Sequence, residues 1–392
     1  MKIGLLGRIL IAIALGIALG HIFTLPWVRI FATFNSIFGQ FLGFIIPLII
    51  VGLVTPAIAD IGKGAGKLLL ITVGIAYADT VIAAILSYTT GSTFFPSLIG
   101  NGSQTLETVE KSAEILPYFT INIPAPIDVM SALVLSFIVG LGVAYGSHTV
   151  LRGAISEMKD IVVGVIERVI IPLLPVYIFG IFLNMTFSGD VMRMMTVFAK
   201  IIVVIFALHI FVLLYQYLIA GAIVRKNPFR LLANMFPAYL TALGTSSSAA
   251  TIPVALKQTR KNGVSEGVAG FVIPLCATVH LSGSAMKITA CAFTIALLEG
   301  LPTDFPLFLH FIMVLAIFMV AAPGVPGGAV MASLAPLGSI LGFGENEQAL
   351  MIALYIAMDS FGTACNVTGD GAIALVVDKL NRNKTNVEEK AA

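Results

Sequence analysis

The chain has 392 residues, of which 58% are apolar and only 11% charged, with a formal net charge of +2. A soluble globular chain carries about 25% charged residues, so this composition excludes a soluble enzyme domain and describes a polytopic membrane protein. The small net charge gives no reason to expect a nucleic-acid partner.

The first apolar run, 6–23, is followed by no small-residue cleavage site and reads as a retained helix rather than a signal peptide. Trp27, beside Pro26, reads as an interfacial anchor. Further runs long enough to span a bilayer lie at 34–60, 67–90, 130–147, 160–186, 195–224, 268–298 and 349–378. Met192, Met194 and Met195 read as lipid-facing filler. Two more apolar stretches, 229–256 and 306–341, are split by turn-rich centres: Gly244-Thr-Ser-Ser-Ser-Ala-Ala-Thr-Ile-Pro253 and Pro323-Gly-Val-Pro-Gly-Gly328. An apolar stretch broken in its middle reads as a re-entrant hairpin. The expected fold is therefore an all-α polytopic membrane protein, with eight transmembrane helices, two re-entrant helical hairpins and an inverted repeat. The three cysteines, Cys276, Cys291 and Cys365, lie in apolar stretches without metal-site spacing, so no disulfide framework, structural zinc or cofactor is expected.

The basic residues orient this scheme. With Lys2 and Arg8 inside, the inner segments hold Lys63, Lys67, Arg152, Lys159, Arg225, Lys226, Arg230, Lys257, Arg260, Lys261, Lys379, Arg382 and Lys384. The outer segments hold Arg29, Lys111 and Arg193, and segment 91–129 carries Glu107, Glu110 and Glu114. Both termini are thus expected on the cytoplasmic side of a plasma (inner) membrane.

The last third carries the chemistry. Each hairpin is followed by an interrupted span, first at Thr278-Val-His-Leu-Ser-Gly-Ser284 and then at Asn366-Val-Thr-Gly369. The second interruption sits within Asp359-Ser-Phe-Gly-Thr-Ala-Cys-Asn-Val-Thr-Gly-Asp370, two carboxylates in an otherwise apolar segment. A carboxylate in a span marks a substrate or ion pathway by default. Asp359 and Asn366 share a helical face, and the Asn-Val-Thr-Gly run predicts unwinding there. Half-helix N-termini of two opposed hairpins would aim partial positive charge at one midplane point, which suits a carboxylate.

The serine-rich tip, the Pro-Gly-Val-Pro-Gly tip and the Asp-x-x-x-Thr-x-x-Asn-Val-Thr-Gly-Asp span occur together and in order. In this the chain resembles the dicarboxylate/amino acid:cation symporter family, the glutamate-transporter fold, most strongly over 229–378. The resemblance implies that Asp359 binds a substrate α-ammonium and Thr363 its side chain. It further implies that Asn366 binds the α-carboxylate and contributes to a sodium site with Asp370. Ser247 and Ser248 match the first tip, with Ser248 at the serine that meets the α-carboxylate. Gly324, Val325, Pro326 and Gly327 match the second tip, which closes over the substrate. A further sodium site near Cys276 and Thr278 would use main-chain carbonyls. The resemblance also implies an elevator-like motion and a homotrimer. The corresponding division is 1–66 scaffold, 67–90 transport, 91–186 outside loop and scaffold, 195–225 transport, 229–378 transport core and 379–392 cytoplasmic tail.

The departures matter as much. Acidic-substrate members place an arginine where this chain has Ser246 or Gly362. Without a guanidinium, a substrate side-chain carboxylate would be buried unpaired. Ser284 and Gly362 leave polar, roomy surroundings. The expected cargo is therefore a small neutral amino acid such as serine, threonine or alanine. Where the family reads Asn-Met-Asp-Gly-Thr, this chain reads His280-Leu-Ser-Gly-Ser284, and Ile75 and Ala76 stand at the third-span partners. A deep sodium site that loses these oxygen ligands is expected to be replaced by positive charge, with His280 or Lys287 paired with Asp79, so that coupling uses fewer sodium ions, or protons. Competing expectations are that Asp79 pairs with Lys287 for structure alone, that Lys287 snorkels to an interface, and that Asp370 is a cytoplasmic-end charge. The alternatives for function are an acidic amino acid or dicarboxylate symporter, an ion channel and an intramembrane hydrolase. No Gly-x-Ser-x-Gly elbow supports the last.

Overall fold

The computed structural model describes residues 5–61, 67–99, 115–146, 148–189, 191–322 and 326–391. Every regular element within them is helical. Helices α1 (Leu5–Gly20), α2 (Leu25–Ile61) and α3 (Lys67–Ile99) come first. Next come α4 (Val129–Tyr145), α5 (Thr149–Val165), α6 (Ile171–Phe187) and α7 (Val191–Val224). The last third consists of α8 (Pro228–Thr245), α9 (Ser248–Lys261), α10 (Glu266–Val279), α11 (Ser282–Leu298), α12 (Phe305–Ala321), α13 (Gly328–Ser339), α14 (Glu345–Ala357) and α15 (Asp359–Ala391).

Five helical stretches, 25–56, 68–99, 149–187, 195–224 and 266–298, the last interrupted between α10 and α11, are long and apolar enough to cross a membrane, and α14 with α15 would make a sixth. The stretch 149–187 runs unbroken from α5 into α6 through a π-turn at Ile166–Ile170. Proline explains that turn. Pro172 and Pro175 lack the amide that an α-helix would direct to the carbonyl four residues back. Pro47 and Pro56 are accommodated inside α2, where neighbouring helices shield the freed backbone groups.

Two sets of helix contacts stand out, joined by one apolar core. Helix α2 packs against α4, α5 and α6, and α1 against α6. In the second set α15 is the hub, touching α7, α8, α9, α10 and α11, while α3 packs along α11. Trp27 is 57% exposed, as an interfacial anchor requires. The acidic run at Glu107, Glu110 and Glu114 and the tip residues Pro323, Gly324 and Val325 lie outside the described residues.

Both serine- and glycine-rich centres break their helices as expected. Helix α8 stops at Thr245, Ser246 turns into the left-handed region (φ +50°), and Ser247 starts α9 by accepting a hydrogen bond from the Ala250 amide. Gly327, at φ +78°, opens α13. The span after the first hairpin breaks at His280–Leu281, inside the predicted interruption. The last span corrects the sequence expectation. It breaks at Met358, where α14 and α15 meet at a 64° bend. Asn366 to Gly369 are continuous helix. Their glycine serves close approach rather than unwinding. A Cβ on Gly369 would lie 2.7 Å from Gln216 Oε1 and 2.9 Å from His280 Cε1, and one on Gly371 would lie 2.7 Å from the Tyr217 hydroxyl.

Candidate functional site

The tip of the first hairpin, the break before α11 and the break before α15 face one small cleft of about 20 Å³. Ser246, Ser248, Leu281, Ser284, Tyr355, Asp359, Thr363 and Asn366 line it, with Ala277, Ala322 and Ala329. Of the predicted substrate residues, Ser248, Ser284, Asp359, Thr363 and Asn366 are therefore brought together. Ser247 is instead the cap of α9. Gly327 reaches the lining residue Asp359 through its amide, Pro326 is not among the lining residues, and Val325 is outside the described residues.

Asn366 ties α15 to α11. Its Oδ1 accepts from the amides of Gly283 (2.8 Å) and Ser284 (3.3 Å), two first-turn donors that α11 itself leaves unpaired. Its Nδ2 donates to Ser284 Oγ at 3.0 Å, and the Tyr355 hydroxyl donates to the same oxygen at 2.9 Å. Thr363 donates to the Asp359 carbonyl at 3.0 Å, leaving its oxygen's remaining lone pair for a ligand.

Asp359 is 7% exposed. Its Oδ2 accepts from the Gly327 amide at 2.8 Å, so the second tip is latched to the carboxylate. Its Oδ1 lies 3.8 Å from Lys287 Nζ. That ammonium donates to the Met358 carbonyl at 3.1 Å and stands 3.5 Å from the centre of the Tyr355 ring, a cation–π contact. A Cβ at Gly362 would come within 2.8 Å of Nζ, so glycine makes room for the lysine. Lys287 therefore pairs with Asp359, not Asp79, and it is fully buried rather than snorkelling. The expectation of an Asp79–Lys287 pair is overturned because the lysine projects toward the α14–α15 break.

A second charged cluster lies beside the cleft. His280 is fully buried, with Nδ1 2.8 Å from Asp370 Oδ1 and Nε2 2.8 Å from Asp79 Oδ2. Asp79 also accepts from the Tyr215 hydroxyl and from Gln216 Nε2, each at 2.7 Å, and that amide reaches Ser282 Oγ at 3.1 Å. Asp370 is 1% exposed and is held by His280. Each imidazole–carboxylate contact needs a proton between its partners. The three groups thus share two protons and carry a net charge of −1, whichever atoms hold them. The pairing of His280 with Asp79 matches the sequence expectation, and its bond to Asp370 is added to it. Two buried oxygens, Gln216 Oε1 and Thr368 Oγ1, have no hydrogen-bond partner. Cys276 is fully buried, and Thr278 donates to the Leu275 carbonyl at 2.9 Å.

Sequence reasoning missed Tyr355, Tyr215 and Gln216. Gln216 left a legible signal, an amide in the apolar run 195–224. Tyr355 left none, because an aromatic ring in an apolar helix is unremarkable until its neighbours are known.

Broken helices meeting at a polar cleft inside an apolar bundle define a carrier that binds its cargo within the membrane. The model of the sodium:dicarboxylate symporter family matches residues 5–380, and the chain belongs to that family. It is a transporter, not an enzyme. The serine/threonine transporter SstT of Acinetobacter baumannii (strain AYE) is 29% identical over 98% of each chain. The SstT of Acinetobacter baylyi is 25% identical over 97% of this chain and 98% of that protein. Human excitatory amino acid transporter 1 is 27% identical over 74% of this chain and 54% of that protein.

Proposed function

We propose that the protein is a symporter that carries a small neutral α-amino acid, such as serine, threonine or alanine, with a cation across the membrane by alternating access. The observation that carries this reading is the cleft's charge. Asp359 is the only ionisable acid among its lining residues, and neither lysine nor arginine lines it. Asp359 takes the α-ammonium. Ser248, at the first turn of α9, offers amides and a hydroxyl to the α-carboxylate. Ser246, Ser284 and Thr363 suit a hydroxyl or methyl side chain. The relatives that are named serine/threonine transporters support this choice.

The acidic or dicarboxylate alternative has one observation in its favour, a cation beside Gly362. Lys287 already faces the Met358 carbonyl, the Tyr355 ring and Asp359, however, and is not among the residues that line the cleft. Eight spans, two re-entrant hairpins, two cytoplasmic termini and an inner-membrane homotrimer complete the proposal. In it the unit of residues 229–378, with α3 and α7, moves against the rest. Sodium is the proposed coupling ion, held near Asn366, Asp370, Cys276 and Thr278. His280 supplies a fixed positive charge in place of a deeper sodium.

Thermal unfolding of the purified chain with each candidate ligand tests the substrate. Serine, threonine and alanine are expected to raise the midpoint in sodium medium, and aspartate and succinate to leave it unchanged. Stabilisation by aspartate or succinate alone would overturn the reading.

A further inference from the structure

Lys287 is an expensive residue. Its ammonium is shut inside the protein at membrane depth, where an unpaired charge is disfavoured. Three contacts hold it. The first is the Met358 carbonyl, at 3.1 Å, which stands at the break between α14 and α15 and also accepts the Gly362 amide at 3.2 Å. The second is the face of Tyr355, and the third is Asp359 Oδ1, at 3.8 Å. That last distance is an ion pair without a direct hydrogen bond. Meanwhile Asp359 Oδ2 is already bonded by the Gly327 amide at 2.8 Å. The carboxylate thus has an oxygen that Lys287 does not directly hydrogen-bond, and Asp359 lines the cleft.

We propose that Lys287 is a tethered counter-charge that lets the empty carrier cross the membrane. The inference rests on the reading of Asp359 as the partner of the substrate's α-ammonium. With the cleft empty, Lys287 and Asp359 sum to zero. A zwitterionic substrate adds no net charge, and its ammonium takes Oδ1 at hydrogen-bond length while the lysine keeps its carbonyl and ring. The empty and loaded forms therefore carry the same charge at this point, and neither moves an unpaired carboxylate through a low-dielectric interior. Without the lysine each form carries one more negative charge, but in the loaded form the substrate ammonium pairs with Asp359 and the substrate carboxylate rests on Ser248 and the first-turn amides of α9, so only the empty form moves an unpaired carboxylate. Lys287 thus decides between net transport and mere exchange. It is placed to do so because Gly362 leaves its ammonium room.

The test loads proteoliposomes containing the full chain with labelled serine. Efflux is followed into serine-free medium and into medium with saturating unlabelled serine, with equal ions on both sides. The native chain is expected to empty into serine-free medium within about threefold of its exchange rate. Lys287→Met is expected to slow efflux into serine-free medium at least about tenfold more than exchange. Lys287→Arg, which keeps the charge, is expected to hold the native ratio within about threefold. A native chain that only exchanges would overturn the inference without touching the proposed substrate, and so would a Lys287→Met chain that loses both fluxes equally or neither. Absence of serine exchange in the native chain would overturn the substrate reading and this inference with it.

Discussion

Single side chains at this site hold helix ends as much as they face a ligand. Asn366 fills the acceptor requirement of two first-turn amides of α11 while forming part of the cleft wall. Asn366→Ala leaves those amides in a dry interior at about 1–3 kcal/mol each. It is expected to lower both the unfolding midpoint and serine binding, as thermal scans with and without ligand would read. Gly369 illustrates a different constraint. A methyl there meets Gln216 and His280, so Gly369→Ala is expected to cost about 1–3 kcal/mol through overpacking. A variant as stable as the native chain would show that the two helices can part freely. His280 bridges two carboxylates, and His280→Ala leaves them facing one another in the interior. That loss is expected to cost about 3–5 kcal/mol. The folded yield in detergent would fall accordingly, and Asp370→Asn on the same chain would recover part of it.

Among the helices, the sequence announced where chains turn better than where they break. Gly, Pro and Ser clusters located both tips, since those residues supply left-handed backbone, fixed φ or a side-chain cap. The break at Met358 carried no such signal. It lies in an apolar run, and the contact beside it, Lys287 to the Met358 carbonyl, comes from another helix. The Asn-Val-Thr-Gly run misled for the converse reason. Its low intrinsic propensity is overridden by burial and by Tyr217, whose hydroxyl donates to the Thr368 carbonyl at 2.8 Å. The carboxylates, Asn366 and His280 were legible because polar groups in apolar runs demand partners. Which partners they take required the fold, and Lys287 turned toward Asp359 rather than Asp79. The tips themselves are testable. Gly327 holds φ +78° and its amide latches Asp359, so Gly327→Ala is expected to strain the tip and weaken that latch. Faster thiol labelling of a cysteine placed at Ser248 would report the loosened cleft.

For the molecule as a whole, the charge pattern explains how a carrier can bind a zwitterion inside lipid. The cleft offers one carboxylate, already balanced, and hydroxyls in place of a guanidinium. The neighbouring His280 cluster carries a net charge of −1, and a cation that relieves this charge on binding would link the ion gradient to the closing of the cleft. Counterflow of labelled serine into proteoliposomes loaded with unlabelled serine, with sodium present or replaced by choline and at two pH values, tests this most directly. The account predicts sodium-dependent counterflow that alanine and threonine compete with and glutamate does not. Robust aspartate or dicarboxylate flux without serine counterflow would contradict it, and sodium-independent serine uptake driven by an inward proton gradient would contradict the assignment of the ion.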